Sequence, residues 1–381
     1  MRERTIPMSN EVTVFDLDRL INAFVECIRG NFKDDVALVL GYGSRFRGDH
    51  HPKSDLDLVF INDTPRGEEA SAQFVIDDIG SDFFPISWER AEGIVSFREA
   101  LLSLILESAV LYSRSDADLE RLESLREKAR WMMSPEGRPR MLRTASEHFE
   151  KCCVSLYNMR IAAERDDLAS LKIEAANLIH GLLFVIFMIN QTYARKSPVK
   201  EVIALPIKPE GLDELIGLLM NELDPQGVLA AGERLADGTR NLLVEEIRKI
   251  ARPKEYPDVY TGLYEEFTGY VQKVFRACDI SDPHEAFFKC QLLQSEIARF
   301  LDDIESSTGW NRLLLHSDIR QAYQNANLPD LMDAATRSDF HAIREAVGWL
   351  DGNLKQLFES RGVPLNVFRS IEEFESFLRN R

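Results

Sequence analysis

The sequence predicts two architectures in series: an α/β (α+β) N-terminal domain with a small mixed sheet, then an all-α helical-bundle region. Two observations carry this. In the first third, short Val-, Leu- and Phe-rich runs that suit strands are interleaved with stretches of helical spacing. Beyond Asp116 helical periodicity dominates. Pro206, Pro209, Pro225, Pro253 and Pro283 fall between its periodic segments, where helix breakers belong. The expected domains are residues 1–115, 116–255 and 256–381.

In chain order, Val14 to Arg29 carries Leu17, Leu20, Ile21, Phe24 and Val25 at helical spacing. Asp35 to Leu40 and Leu56 to Asn62 read as strands joined by a polar loop containing Gly48 and Pro52. A polar linker, Asp63 to Ser71, follows, and the stretch holding Asp77 and Asp78 reads as a helix end. Phe83 to Ser87 is a third strand, with a helix starting at Trp88 or Glu89. Phe97 to Glu107 reads as a helix and Ala109 to Tyr112 as a fourth strand. The later helices are expected at Leu142 to Glu164, Leu171 to Tyr193, Leu212 to Leu223, Asn241 to Ile250, Glu255 to Cys278, His284 to Glu305 and His341 to Arg361, with a short one in Ser370 to Arg381. The charge run Asp118 to Arg130 reads as a solvated helix face.

Composition narrows the function classes. With 45% hydrophobic residues in 381, a core can form. A net charge of −17 repels a phosphate backbone, so broad nucleic-acid binding is disfavoured and a cationic partner is favoured. The five cysteines are odd in number and form no CxxC pair, which argues against a disulfide framework or a zinc site. The longest apolar run, Leu178 to Ile189, is too short to span a bilayer, and the N-terminus lacks a secretory apolar core. The expectation is a cytoplasmic protein.

The chemistry concentrates in residues 41–58, GYGSRFRGDHHPKSDLDL. Asp55 and Asp57 are two apart, so on a strand both point to one face, while Leu56 and Leu58 point to the core. Two such carboxylates raise each other's pKa unless a cation lies between them, and hard oxygens suit Mg²⁺. The Gly43-Ser44 turn offers backbone N–H groups and a hydroxyl to phosphate oxygens, and Arg47 is a bidentate donor nearby. Together these describe a site for a metal-bound nucleoside triphosphate.

Gly43-Ser44 and Gly48, followed by Ser54-Asp55-Leu56-Asp57-Leu58, resemble the signature of the polymerase-β-like nucleotidyltransferase superfamily. The resemblance implies a third carboxylate on a neighbouring strand, for which Asp82 is chosen over Asp77 and Asp78. It implies two metal ions held by Asp55, Asp57 and Asp82, and triphosphate contacts from Gly43, Ser44, Arg47 and Ser54. The expected reaction is in-line attack of an acceptor hydroxyl on the α-phosphate, with pyrophosphate leaving. Within the superfamily the chain looks most like the aminoglycoside (kanamycin) nucleotidyltransferase branch. The likeness rests on the domain order, on FMINQTYARKSPVK at residues 187–200, and on the ending RGVPLNVFRS. That branch takes its general base from a Glu on the first long helix after the catalytic domain, with a Lys one turn along for the nucleotide. In SEHFEKCCVSLYNMR, Glu150 is the better positional match and Lys151 the nucleotide-binding Lys; Glu147, four before Lys151, is the alternative base.

The resemblance thus implies a Mg²⁺-dependent enzyme that moves NMP from an NTP, with ATP the expected nucleotide, to a hydroxyl-bearing small molecule. A homodimer is allowed for, and no membrane partner is expected. Two other readings stay open: nucleotidylation of a protein or RNA acceptor of the toxin–antitoxin type, and a catalytically idle nucleotide-binding module. Arg143 and His148 have the R-x-x-x-x-H spacing of HEPN ribonucleases. His50 and His51 read as loop residues, His180 as a hydrogen-bonded core histidine, and Lys200 as a further phosphate contact.

Overall fold

The computed structural model describes residues 17–51, 54–76, 79–250, 260–306 and 323–380. It divides into two compact units, Met1–Leu243 and Val244–Arg381. In the first, α1 (Leu17–Asn31) precedes β1 (Val36–Tyr42), the short α2 (Gly43–Arg47) and β2 (Asp57–Asn62). The β3–β4 hairpin (Ala72–Ile76, Ile79–Ser87), α3 (Trp88–Val95), α4 (Ser103–Leu106) and β5 (Ala109–Ser113) complete the sheet domain. The helices α5 (Asp116–Met132), α6 (Arg138–Glu164), α7 (Leu168–Ile189), α8 (Pro198–Ile203) and α9 (Leu212–Asn221) follow, and α10 (Pro225–Lys249) runs across the division at Leu243. The second unit is helical: α11 (Leu263–Asp279), α12 (Pro283–Ser306), α13 (Leu331–Thr336), α14 (Phe340–Ser360) and α15 (Ile371–Arg379). The architecture is therefore a small mixed sheet domain followed by helices.

The sheet runs β3-β4-β2-β1-β5. The β2–β4 pair is parallel and the other pairings antiparallel. Its centre is buried on both sides, which explains why β1 and β2 read as unbroken apolar runs. Leu56, Leu58, Phe60 and Phe83 form one cluster with Phe24 and Ile28 of α1. Leu38, Leu40, Val59 and Ile61 are equally buried, and on the alternating strand pattern they face the side of α3–α5, whose helices contact β1 and β4.

Several expectations are corrected here. The segment around Asp77 and Asp78 is a hairpin, not a helix end: Ala72–Ile76 pairs with Ile79–Ser87. Gln73, Phe74, Val75 and Ile76 alternate poorly, which hid an edge strand from a periodicity reading. Asp77 and Asp78 themselves lie outside the described residues, as do Pro52 and Pro253. The helix expected over Phe97 to Glu107 shrinks to α4, because Phe97 takes φ +60 and ends α3. Its N–H and that of Arg98 turn back to the carbonyls of Ile94 and Gly93, at 2.9 Å each. The helix expected to reach Tyr193 stops at Ile189, since Gln191 also adopts positive φ. Pro225 and Pro283 open α10 and α12 rather than separating helices, as the first-turn tolerance of proline allows. In consequence α10 begins at Pro225 where a helix was expected only from Asn241.

The charge run on α5 is not wholly solvated. Leu122, Leu125 and Ala129 are buried, and Asp118 is buried in an ion pair with Arg114 at 2.9 Å. Among the described residues α7 is the one helix long and apolar enough to cross a membrane by length and composition. Its apolar stretch exceeds Leu178 to Ile189, yet Leu171, Leu178, Leu182, Val185 and Ile186 are buried in the protein as core.

His148 on α6 joins the helices to the sheet domain. Its Nε2 lies 2.9 Å from the Phe97 carbonyl, and its ring meets Phe184 of α7 edge-on at 4.9 Å. That bond helps hold Phe97, 1% exposed, in its unfavourable backbone region. Burial, aided by Lys151, holds the His148 pKa below 6.5. The unfolded chain then binds more protons at this site, so its contribution is present above the ordinary imidazole value and is lost as pH falls through the depressed folded value. His148→Ala is expected to destabilise the protein by about 1–3 kcal/mol by leaving the Phe97 carbonyl unpaired. His148→Gln is expected to flatten the loss of stability on acidification, read by urea midpoints across pH 5–8.

Candidate active site

The site forms where β1 ends and β2 begins. Leu56 and Leu58 join the α1-side cluster, so the alternation of the strand turns Asp55 and Asp57 to the opposite face. The register then assembles the rest. Tyr42 of β1 is opposite Asp57, and Asp57 is opposite Asp82 of the parallel strand β4. Asp82 shares that face because Phe83 points into the α1-side cluster. The sequence choice of Asp82 thus lies on the strand next to the Asp-Leu-Asp segment.

The carboxylates feel one another. Burial first, then Asp55 and Asp82, push the Asp57 pKa up to about 6, against a lowering by Arg47. Tyr42, half-buried beside the three acids, is raised well above the ordinary phenol value by burial and their charge, so its hydroxyl stays protonated. Oδ1 of Asp82 is buried and has no hydrogen-bond partner. Asp55, exposed and outside β2, sits at the rim.

The turn before the acids is shaped by two glycines. Gly41 leaves room for the Phe46 ring, which a Cβ would meet at 2.1 Å, so α2 folds back onto β1. Gly43 takes φ +80 and its backbone lies against Asp57: a Cβ there would stand 2.4 Å from Oδ2. What reads as a Gly-Ser turn is the start of the one-turn helix α2, closed by Gly48 in the left-handed region. Its Arg45, which the sequence reading passed over, donates from Nε to the carbonyls of Ser54 and Asp55 at 2.9 Å each. Ser54 Oγ accepts the His51 N–H at 2.9 Å, and Ser81 Oγ accepts that of Leu56 at 3.3 Å. These bonds fix the loop that carries the acids. Ser54 is thereby engaged within the loop, and Arg47 pairs with Asp49 at 3.4 Å.

The helical candidates are placed differently. Glu150 is half-buried on α6 and acts on the Cys153 thiol, while Lys151, exposed, acts on His148 and Cys152. The charges acting on Asp57 are Asp55, Asp82 and Arg47. The structure therefore brings together Gly43, Arg47, Asp55, Asp57 and Asp82, while Glu150 and Lys151 lie on α6. His148 serves the Phe97 carbonyl rather than an Arg143-x-x-x-x-His site. His180 is exposed, not a core histidine, because it lies on the outer face of α7. Two residues near the acids were missed. Tyr42 and Arg45 flank the Gly-Ser pair, but nothing in their spacing distinguishes them from ordinary strand and loop residues.

A divalent cation fits the chemistry of this donor set: hard carboxylate oxygens, one buried without a partner, and an excess of negative charge. Among the described residues no three His, Cys, Asp or Glu side chains stand close enough to hold a metal as they are.

Residues 120–249, about a third of the chain, match the model of the KNTase C-terminal domain family. No curated protein matches the chain. Among solved structures, a nucleotidyltransferase-like protein from Exiguobacterium sibiricum 255-15 is similar at 12% identity, over 62% of this chain and 82% of that one. Its TM-score is 0.38. The family match covers α6 to α10 with most of α5, a segment independent of the Gly-Ser and Asp-Leu-Asp residues, and it supports a nucleotidyltransferase.

Asp57 is held ionised at alkaline pH against burial and two like charges. Its folded pKa lies above the unfolded 3.8, so the folded state gains protons, and stability, as pH falls through about 6. At pH 8 without divalent metal, Asp57→Asn is expected to raise the melting temperature by a few degrees, the gain shrinking toward pH 4; a lower melting temperature at pH 8 would contradict this placement.

Proposed function

We propose that this chain is a Mg²⁺-dependent nucleotidyltransferase that moves NMP from an NTP, with ATP the expected nucleotide, to a hydroxyl of a small, amine-rich acceptor. The observation that supports it most is the register that sets Asp57 opposite Asp82, beside Gly43, at the end of the Gly-Ser turn. The family match to residues 120–249 comes from a different part of the chain and supports the same class.

In this reading Asp57 and Asp82 hold the metal, with Asp55 closing from the rim. When bound, the metal neutralises phosphate charge and orients the reacting oxygens. The protein's own parts do the rest. Gly43 lets the backbone approach, Ser44 offers a hydroxyl, and Arg47 offers a guanidinium to phosphate oxygens. Arg45 keeps the carbonyls of Ser54 and Asp55 fixed, so the carboxylate that follows does not wander. The acceptor hydroxyl loses its proton to Glu150, its oxygen bonds to the α-phosphorus, and the bond to the bridging oxygen breaks. Pyrophosphate leaves. The acidic α6 residues Glu147 and Glu150, with the chain's net charge of −17, favour a cationic acceptor. The setting proposed is the cytoplasm, where NTP is supplied.

Asp57→Asn is expected to abolish NMP transfer from labelled ATP while the protein stays folded. Glu150→Gln is expected to cut turnover by about 10²–10⁴-fold with ATP binding preserved. Pyrophosphate release is the readout, with a panel of aminoglycoside-like acceptors. Undiminished turnover in Asp57→Asn would sink the nucleotidyltransferase reading; the loss appearing in Glu147→Gln instead would move the base by one helical turn.

A further inference from the structure

The loop between α7 and α8 is held more firmly than a connector requires. Asn190 donates to the Ile207 carbonyl at 2.7 Å and accepts the Ile207 N–H at 3.1 Å. The Gln191 amide reaches the Ser134 carbonyl. The Tyr193 hydroxyl donates to Glu107 Oε1 at 2.9 Å. The Glu201 carboxylate accepts three successive backbone N–H groups, from Arg195 at 2.9 Å and from Lys196 and Ser197 at 2.7 Å.

What this rigid loop presents is Lys196, whose ammonium pairs with Asp49 in the loop that follows α2. Arg47 approaches the other oxygen of the same carboxylate at 3.4 Å. Two cations, one from α2 and one from a segment about 150 residues on, thus converge on one exposed acid, which directly follows Gly48 of the motif. Arg47 is also the cation that acts on Asp57. An exposed ion pair contributes little to stability, so stability is a poor reason for so elaborate a mounting. It is also easily exchanged: an anion of higher charge takes cations from a solvated carboxylate at small cost.

We propose that Lys196 and Arg47 form the subsite for the terminal phosphates of the nucleotide, and that Asp49 is their internal counter-ion, exchanged when the polyphosphate enters. This rests on the nucleotidyltransferase reading. It adds Lys196 as a nucleotide-binding residue supplied by the helical region, and Asp49 as a built-in competitor that sets affinity. Because the loop is already ordered by Glu201, Tyr193 and Asn190, little conformational entropy is lost when Lys196 changes partner.

The two residues are expected to respond with opposite sign, which misfolding cannot imitate. The full chain is titrated by calorimetry with inorganic tripolyphosphate in the presence of Mg²⁺, and with a nonhydrolysable ATP analogue. Lys196→Ala is expected to weaken both by about tenfold or more, the worth of a charge-assisted bond, and Lys196→Arg to restore most of it. Asp49→Asn is expected to tighten tripolyphosphate by about threefold, most of the gain vanishing when Lys196 is also Ala. If Asp49→Asn leaves binding unchanged or weaker, or Lys196→Ala binds as the unmutated chain does, the subsite is overturned while the nucleotidyltransferase reading stands. If the unmutated chain binds neither probe, both fall.

Discussion

The parallel pairing of β2 with β4 is the constraint on which the site depends. It places Asp57 directly across from Asp82 and fixes their common face, because the alternate residues Leu58 and Phe83 are committed to the α1-side core. A slip of one residue would turn Asp57 or Asp82 into the α1-side core in place of Leu58 or Phe83, so burial itself protects the register. The repulsion that results is a local instability maintained by a well-buried sheet. Such concentrations of unfavourable charge are where pKa values move and where function concentrates.

Around that pair the chain spends short-range interactions on position. Gly41 admits Phe46, which sets α2; Gly43 brings backbone against Asp57; Arg45 ties the Ser54 and Asp55 carbonyls. The acids therefore rest on two strands and a braced loop. The helical part of the same unit is joined to the sheet domain by specific polar contacts as well. His148 bonds to the Phe97 carbonyl, Tyr193 to Glu107, and Lys196 to Asp49. These contacts give the helices defined positions beside a site whose metal-binding candidates all come from strands or strand ends.

Much of this was legible in the sequence. The spacing of Asp55 and Asp57 named their face, because a strand has period two whatever surrounds it. The apolar runs of β1 and β2 announced buried strands, and the helical periodicity after Asp116 announced the helices. The strand β3 was not legible, since an edge strand need not alternate. The stops at Phe97 and Gln191 were not legible either, because a non-glycine residue at positive φ is held there by tertiary contacts rather than by its own preference.

The sequence alone determined the residue types and their local geometry: two carboxylates on one strand face, a Gly-Ser turn before them, and helices beyond. Only the tertiary structure decided which distant residues meet them. Asp82 comes to Asp57 through strand register, Lys196 to Asp49 through a loop braced by Glu201, and His148 to Phe97 through helix packing. Glu150 and Lys151, which the resemblance offered as base and nucleotide contact, lie on α6, and their sequence positions alone do not say what they face. The physical reason is that periodicity acts over a few residues, whereas these meetings join segments tens of residues apart and are fixed only when the core closes.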